Sequence, residues 1–317
     1  MAKTKKSDNK SCKECRFKAS VIGCGSVGAT TAYAYFLSGT VTDLAIVDID
    51  KGRAEGLMLD LEHATAFTPH TEVEASDDFA ICKNSDLVVV TAGARQKEGE
   101  TRLDLIEKNR SIFKSIIPKI AKVAPNAILL IVSNPVDILT HEALKLSKFP
   151  KNRVFGSGTV LDSVRLQYHI SEKINVHPSS IDAYILGEHG DSSFPYYSSA
   201  NILGKPLAKW EGFNKKAARQ AYKDTKEAAY RIINDQGYTC YSIATVVREL
   251  TESIFEDKKK VFTLSVPLEN YHGNSGVCLS VPCVLGKNGI EEVIKVPLNA
   301  EEKKALKKSV KTLKEIL

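Results

Sequence analysis

The sequence predicts an α/β protein with a parallel sheet covered by helices on both faces, followed by an α+β region that contains antiparallel strands. In the first half, short β-branched apolar runs alternate with longer stretches of helical spacing, as in buried parallel sheets. A glycine-rich turn joins the first run to the first helical stretch, so the sheet is expected to be Rossmann-type. The 317 residues suffice for two domains. We expect a basic tail over 1–16, a Rossmann domain over 17–157 and a second domain over 158–317.

Each predicted element follows from its local pattern. Continuous apolar runs predict buried strands over 17–22, 44–49, 86–92, 127–133 and 153–156. Amphipathic spacing predicts helices over 27–38, 51–64 and 102–124. After about residue 160 the alternation ends, and we expect a helix over 161–174, mixed segments over 181–187 and 194–203, and a long helical region over 212–256. Apolar runs separated by Gly and Asn then predict antiparallel strands over 261–268, 277–285 and 290–296.

The last predicted helix has both a start signal and an apolar stripe. Asn299 and Glu302 are three residues apart, which is the spacing of a capping box. The apolar residues that follow repeat at intervals of four, three and four: Leu306, Val310, Leu313 and Leu317. We therefore expect one face of this helix to pack inward.

Composition and charge argue against several classes of protein. With 43% apolar and 26% charged residues the chain is globular rather than disordered. No apolar run approaches the roughly 18 residues of a membrane span, and no apolar stretch follows the lysine-rich start as in a signal peptide. The net charge of +6 is concentrated at the ends, with +4 in 1–16 and +3 in 301–317, which leaves −1 for 17–300. A nearly neutral body does not favour nucleic-acid binding.

The seven cysteines are scattered and form no disulfide framework. This usage favours a reducing, cytoplasmic setting. Cys12 and Cys15 form a C-x-x-C pair, but no second pair follows at zinc spacing. We therefore predict a cytoplasmic protein without a metal site.

The first turn predicts a dinucleotide site. The run Val21 to Gly28 is G-x-G-x-x-G between a predicted strand and a predicted helix. Gly23 permits the tight turn, Gly25 lets a pyrophosphate approach the backbone, and Gly28 lets helix and strand pack closely. Asp48 ends the next predicted strand, where a carboxylate can accept both ribose hydroxyls but would repel a 2′-phosphate. The pattern predicts NAD rather than NADP, the alternative being a structural turn with Asp48 as a helix cap.

A second group of residues predicts acid–base chemistry on a carboxylate substrate. His189 lies between two glycines, which suits a side chain presented on a tight turn. Asp162 and Arg165 are three residues apart on a predicted helix and share a face. A carboxylate can fix the tautomer of a histidine and favour its charged form, and a guanidinium can clamp a substrate carboxylate with two hydrogen bonds. Taken alone, Asp162 and Arg165 would more often be an ordinary ion pair on a helix face, and His189 would more often be a buried, hydrogen-bonded histidine.

These groups occur together with further motifs, and the chain resembles the 2-hydroxyacid dehydrogenases of the lactate/malate dehydrogenase family. The resemblance covers about residues 17 to 317, with the motifs in the order of the family: GCGSVG, TAGARQ with ETRLD, IVSNPVD, LDSVR and GEHGDSS. It implies hydride transfer between NADH and pyruvate to give L-lactate, with pyruvate and L-lactate as small-molecule partners. It also implies a homotetramer.

The resemblance implies a role for each matching residue. His189 would be the acid/base, oriented by Asp162, and Arg165 would bind the substrate carboxylate. Arg102 would polarise the ketone, and Asn134 would contact both nicotinamide ribose and substrate, with a cis bond before Pro135. Positions that match the cofactor-lining residues are Gly23, Gly25, Val27, Gly28, Asp48, Arg53, Gly93, Ala94, Arg95, Ser133, Asn134 and Ile243. Thr239 matches the wall beside the substrate.

Gln96 is expected to decide the substrate. Malate dehydrogenases of the family have an arginine at this position, which pairs with the second carboxylate of oxaloacetate. Gln96 is neutral, so a dicarboxylate would bury an unpaired charge at a cost of several kcal/mol. Members activated by fructose bisphosphate have an arginine where this chain has Gln167 and a histidine where it has Asp182. That activation is therefore not expected.

Three other functions remain open from the residues. The nearest is a dehydrogenase for malate or a branched hydroxy acid. A non-catalytic NAD-binding protein would have no need for the acid–base residues. An NAD-using glycosidase on a related scaffold would need metal ligands, and the sequence has no convincing cluster of them.

Overall fold

The computed structural model describes residues 16–94, residue 99 and residues 102–317, with the side chain at position 102 left out. Its helices are α1 Ser26–Ser38, α2 Lys51–Glu62, α3 Arg102–Val123, α4 Val136–Ser147, α5 Val160–Ile174, α6 Lys215–Gln236, α7 Tyr241–Phe255 and α8 Ala300–Lys314. Short 3₁₀ helices cover Thr65–Phe67, Phe79–Cys82, Lys151–Arg153, Pro178–Ser180 and Leu207–Lys209. None of the described helices is long and apolar enough to cross a membrane.

The strands of the first half are β1 Lys18–Ile22, β2 Asp43–Val47, β3 Glu72–Ser76, β4 Leu87–Val90, β5 Ile128–Ile131 and β6 Val154–Gly156. Those of the second half are β7 Ile185–Leu186, β8 Phe194–Pro195, β9 Asn201–Ile202, β10 Lys205–Pro206, β11 Lys260–Pro267, β12 Cys278–Gly286 and β13 Gly289–Val293. The central sheet has the order β13-β12-β11-β6-β5-β4-β1-β2-β3. Its first six strands in the chain pair in parallel, and β11 to β13 pair antiparallel. The predicted fold class is confirmed.

The antiparallel strands extend the parallel sheet rather than forming a sheet of their own. Ser265 of β11 pairs with Gly156 of β6, so one sheet crosses the predicted domain boundary. That boundary, between residues 157 and 158, stays a prediction.

One edge strand lies outside the predicted set. β3 places Glu72 and Glu74 towards solvent beside half-buried Val73 and Ala75, so it has no continuous apolar run. Edge strands commonly carry such charges, because these discourage pairing with another chain.

The predicted helical region over 212–256 is two helices. Gly237 ends α6 in the left-handed conformation, with φ +86° and its N–H bonded to the carbonyl of Ile233. Glycine adopts this conformation without the strain of a side chain, so it ends helices readily. The chain then turns through Cys240 before α7 begins.

The capping box of α8 is confirmed. The Asn299 side chain accepts from the Glu302 N–H, and the Glu302 carboxylate accepts from the Asn299 N–H, both at 2.9 Å. Three residues of the predicted stripe are buried: Leu306, Val310 and Leu313. Leu317 lies beyond the helix and is 39% exposed, so the stripe is one residue shorter than predicted.

The order of strands places the predicted cofactor turns at one edge of the sheet. β2 and β3 lie on one side of β1, while β4 to β6 lie on the other. Ligands of open α/β sheets bind at such a reversal, outside the carboxyl ends of the strands. The turns after β1, β2, β4 and β5 therefore lie along this edge.

Candidate active site

The turn after β1 has the shape that a dinucleotide needs. Gly23 has φ +101°, and a Cβ there would lie 2.8 Å from the backbone of Ala92. A Cβ on Gly28 would lie only 1.8 Å from the carbonyl oxygen of Gly23. A Cβ on Gly25 would meet nothing within 4 Å, so space remains open beside the N-terminus of α1. Free N–H groups at such a helix start can bind a pyrophosphate.

Asp48 lies directly after β2 and is 9% exposed. Its Oδ2 accepts from the N–H of Cys24 at 2.5 Å, and its Oδ1 accepts from the N–H of Asp50 at 2.9 Å. These two bonds hold the carboxylate beside the glycine turn, where a ribose would follow the pyrophosphate. Arg53 lies on the first turn of α2, with its side chain exposed and 3.9 Å from Asp50.

The turns after β4 and β5 are joined by a residue that sequence reasoning missed. Asn109 of α3 is fully buried, and its Oδ1 accepts from the N–H of Ala94 at 2.7 Å. Its Nδ2 donates to the carbonyl of Asn134 at 2.8 Å. Ser133 donates to the carbonyl of Ala92 at 2.6 Å. Gly93 and Ala94 are thereby fixed beside Asn134, although no sequence spacing indicates that contact.

The bond between Asn134 and Pro135 is cis, as the resemblance implies. Asn134 lies just before α4 and lines a cavity that His189 also lines. Its Oδ1 accepts from the N–H of Val136 at 3.3 Å.

His189, Asp162 and Arg165 form a connected group. The His189 Nδ1 lies 2.6 Å from the Asp162 Oδ2, and the Arg165 guanidinium lies 3.5 Å from the Asp162 Oδ1. The side chains are 26%, 17% and 11% exposed, respectively, so all three are shielded but reachable. Asp162 therefore binds the imidazole with one oxygen and lies beside the guanidinium with the other.

The charges in this group shift one another's protonation. Burial lowers the pKa of His189, but the charge and hydrogen bond of Asp162 outweigh it and raise that pKa to about 9. Burial raises the pKa of Asp162, but His189 and Arg165 outweigh it and the net shift is downward. At neutral pH the pair is therefore an imidazolium and a carboxylate, which is a proton donor ready to act.

Asp137 also contacts the histidine, and sequence reasoning did not single it out. It lies on α4 and is 3% exposed. Its Oδ2 accepts from the backbone N–H of His189 at 2.7 Å, and its Oδ1 accepts from the Ser265 hydroxyl at 2.5 Å. Burial raises the pKa of Asp137 to about 6, although both hydrogen bonds favour the ionised form. The signal that the sequence offered was the aspartate at the end of the IVSNPVD run.

His189, Asp162, Arg165 and Asn134 line one cavity of about 580 Å³. The predicted site residues that line it are Val27, Asn134, Asp162, Arg165, His189, Thr239 and Ile243. Its outer wall is one face of α6, which sequence reasoning missed, with Tyr222, Thr225, Lys226, Ala229, Tyr230 and Ile233. Gly23, Gly25 and Gly28 after β1, and Asp48 and Arg53 after β2, do not line the cavity.

Some predicted residues cannot be placed. Arg95, Gln96 and the side chain of Arg102 lie outside the described residues, as do Cys12 and Cys15. Within the described ranges, no three His, Cys, Asp or Glu side chains are grouped so that they could hold a metal ion.

Comparison with known proteins identifies the family. The model described as lactate/malate dehydrogenase, NAD binding domain, matches residues 17–156, and that for the alpha/beta C-terminal domain matches 159–317. The chain belongs to the lactate/malate dehydrogenase family. As in the family's NAD-binding domain, the cofactor is NAD. The glycine turn, the open space at Gly25 and the placement of Asp48 all fit that cofactor.

Similar members of this family carry the name lactate dehydrogenase. The chain is 45% identical to the L-lactate dehydrogenase of Acetivibrio thermocellus over 305 residues, which covers 95% of this chain and 96% of that one. It is 44% identical to the L-lactate dehydrogenase of Bifidobacterium animalis subsp. lactis over 304 residues, which covers 94% and 95%. The crystal structure of MGS-M5, a lactate dehydrogenase from a Medee basin deep-sea metagenome library, superimposes with a TM-score of 0.92. That match has 39% identity and covers 95% of this chain and 98% of the other.

Proposed function

We propose that this protein is an NAD-dependent L-lactate dehydrogenase in which His189 transfers the proton between substrate and enzyme. The observation that carries this is the 2.6 Å contact between His189 and Asp162, inside a cavity that Arg165 also lines. The glycine turn and Asp48 would hold NADH, which would supply the hydride for C2 of pyruvate.

Each of the proposed site residues has a separate task. Arg165 binds the pyruvate carboxylate, because a buried planar guanidinium can donate two parallel hydrogen bonds. Protonated His189 donates from Nε2 to the ketone oxygen, while Asp162 holds Nδ1 and stabilises the cation. Arg102 polarises the same oxygen as negative charge develops on it. For lactate oxidation, neutral His189 accepts the hydroxyl proton.

The proposal includes a cytoplasmic homotetramer. Large apolar side chains are exposed on several of the described helices, among them Leu37 of α1, Leu59 of α2 and Val164 of α5. Where such side chains form a contiguous patch, burial between subunits stabilises an assembly.

A substrate comparison tests the proposal. NADH oxidation is measured with pyruvate, oxaloacetate and 2-ketoisocaproate side by side. Pyruvate should give the highest kcat/KM, with L-lactate as the product. A higher kcat/KM with oxaloacetate or 2-ketoisocaproate would assign the protein to another dehydrogenase of the family. Absence of turnover with all three, together with NADH binding, would indicate a non-catalytic NAD-binding protein.

Asp48 should determine the preference for NAD. Asp48→Ala removes the negative charge that opposes a 2′-phosphate, so NADPH should gain relative to NADH by about tenfold or more, a change of ~1.4 kcal/mol. The ratio of kcat/KM for the two cofactors measures this. Asp48→Asn is the matched control for geometry, because it removes the charge but keeps an oxygen for the Cys24 N–H. Equal use of both cofactors by the unmodified protein would refute the role of Asp48.

Fructose 1,6-bisphosphate should not activate the enzyme. The Gln167 amide donates to the carbonyl of Ala183 at 3.2 Å, and exposed Asp182 lies beside it in the chain. A neutral amide and a carboxylate offer no cation to the phosphates, and the carboxylate would repel them. Pyruvate saturation curves at neutral pH, with and without the bisphosphate, should coincide. A large fall in the KM for pyruvate would reveal a binding site elsewhere.

A further inference from the structure

The turn that carries His189 is held at three consecutive carbonyl groups. These belong to Asp191, Ser192 and Ser193, which lie two to four residues after the histidine. Each carbonyl oxygen accepts a hydrogen bond from a different side chain: Lys226, Ser309 and Tyr222, respectively. Such carbonyls in an irregular segment have no ladder partner of their own, so side-chain donors fix where the segment lies.

Ser309 of α8 binds both sides of the turn. Its hydroxyl donates to the Ser192 carbonyl at 2.5 Å and accepts from the Glu188 N–H at 3.3 Å. Ser309 is fully buried. A Cβ on Gly187 would lie 2.6 Å from its oxygen, so the helix and the turn are in close contact.

Tyr222 and Lys226 connect the turn to α6. The Tyr222 hydroxyl donates to the Ser193 carbonyl. The Lys226 ammonium lies 3.0 Å from the Asp191 carbonyl oxygen and 3.8 Å from the Asp191 carboxylate. Both side chains also line the cavity that contains His189. Two side chains of α6 that line the cavity therefore also bind carbonyls of the turn that follows His189.

The preceding half of the turn is fixed by other elements. Gly187 exchanges two backbone hydrogen bonds with Ser280 of β12, at 3.0 and 3.1 Å. Asp137 accepts from the His189 N–H. The backbone before His189 is thus held by the sheet and by α4. The backbone after it is held by turn bonds such as Ser193 N–H to the Gly190 carbonyl and by the pairing of β8 with β7, and α6 and α8 supply the side-chain donors to its carbonyls.

We propose that Ser309, Tyr222 and Lys226 are positioning residues that hold His189 in its productive place by binding the three carbonyls after it. The inference rests on the proposed function. Loss of any one donor lets the turn shift, which lengthens the contact between His189 and Asp162. Shifts of about 1 Å in a catalytic group can reduce a rate by about 100-fold.

Three substitutions that keep nearly the same shape test this inference. Ser309→Ala, Tyr222→Phe and Lys226→Met should each lower kcat for pyruvate reduction by about tenfold or more, with little change in NADH affinity. Matched controls are Ser253→Ala, Tyr168→Phe and Lys223→Met. Ser253, like Ser309, is fully buried and donates to a backbone carbonyl. Its acceptor is the Leu285 carbonyl, at 2.9 Å. The controls should keep kcat within about twofold.

The pH profile separates positioning from mere stabilisation. Groups around His189 that carry or change charge are Asp162, Arg165, Asp137, Glu188, Asp191, Tyr222 and Lys226. Ser309→Ala removes none of these, and Tyr222→Phe removes a group that is neutral in the working range. A weaker contact with Asp162 lowers the apparent pKa of His189, so reduction should fail at a lower pH in both variants. Lys226→Met removes a cation near His189, and this loss by itself raises the apparent pKa of His189. The Lys226→Met variant is therefore compared by kcat alone.

Two results would overturn the inference. One is an unchanged kcat and pH profile in Ser309→Ala and Tyr222→Phe. The other is a loss that Ser253→Ala reproduces at equal thermal stability, which would show a general effect of a lost buried hydrogen bond. Failure of the proposed function looks different, because the unmodified protein would then reduce another of the three 2-keto acids better than pyruvate, or reduce none of them.

Discussion

Replacing Gln96 with arginine should move the preference of the enzyme from pyruvate towards oxaloacetate by several hundredfold or more. In the proposed site, Arg165 would neutralise the carboxylate that both substrates share. Oxaloacetate carries a second carboxylate where pyruvate has a methyl group, and a second cation is needed to neutralise it. Gln96 lies outside the described residues, so its place beside the substrate is inferred from the ARQ run and from the resemblance.

The size of the effect follows from burying a charge. A matched ion pair in a closed, water-poor site is favoured over an unmatched carboxylate by several kcal/mol. Each ~1.4 kcal/mol is about tenfold in relative kcat/KM. Pyruvate should also lose efficiency, because the introduced arginine would then be buried without a partner.

The comparison needs a neutral control of similar length. Gln96→Met keeps the site uncharged, so it should not gain activity towards oxaloacetate. The ratio of kcat/KM for the two substrates is measured in all three proteins. If Gln96→Arg barely changes the ratio, Gln96 does not face the substrate and the preference for pyruvate needs another explanation.

Asp162→Asn should lower kcat for pyruvate reduction by about 100-fold or more, the scale of a lost general acid. The amide can still accept from the imidazole, but it carries no charge to stabilise the imidazolium. Asp162 raises the pKa of His189 to about 9, so its loss lowers that pKa. With His189 as the proposed acid, reduction would require its protonated form and would fail as the pH rises through this pKa. The pH at which reduction fails should therefore move down.

A second histidine–carboxylate pair, on the helix that carries Asp162, provides the control. His169 Nδ1 lies 3.2 Å from the Glu172 carboxylate, far enough along α5 to be absent from the cavity lining. Glu172→Gln should leave both kcat and the pH profile unchanged. An unchanged profile in Asp162→Asn would mean that Asp162 does not control the charge of His189.

Local spacing predicted the parts of the site that are formed by neighbouring residues. The glycine turn and the pair Asp162 and Arg165 each lie within a few residues, so their spacing in the sequence determines their geometry. The edge strand β3 was missed because acidic residues alternate with its apolar ones, so it lacks the continuous apolar run that predicted the other parallel strands. The break at Gly237 was missed because an isolated glycine is tolerated in many helices.

Contacts over long sequence distances could not be predicted in this way. Asp137 and His189 are 52 residues apart, and Ser309 lies 117 residues from Ser192. Asn109 likewise joins two turns from within α3. In each case a polar side chain meets a backbone group, and almost any sequence offers such groups. Only the folded chain determines which of them meet.

His189 should release its proton when pyruvate is reduced and take one up when L-lactate is oxidised. The most direct measurement is the pH dependence of kcat/KM in both directions on the same protein. Reduction should fall and oxidation should rise as the pH increases, and both limbs should move to lower pH in Asp162→Asn. Two reactions that respond to pH in the same direction, or limbs that stay in place in Asp162→Asn, would contradict the role of His189 as the acid and base.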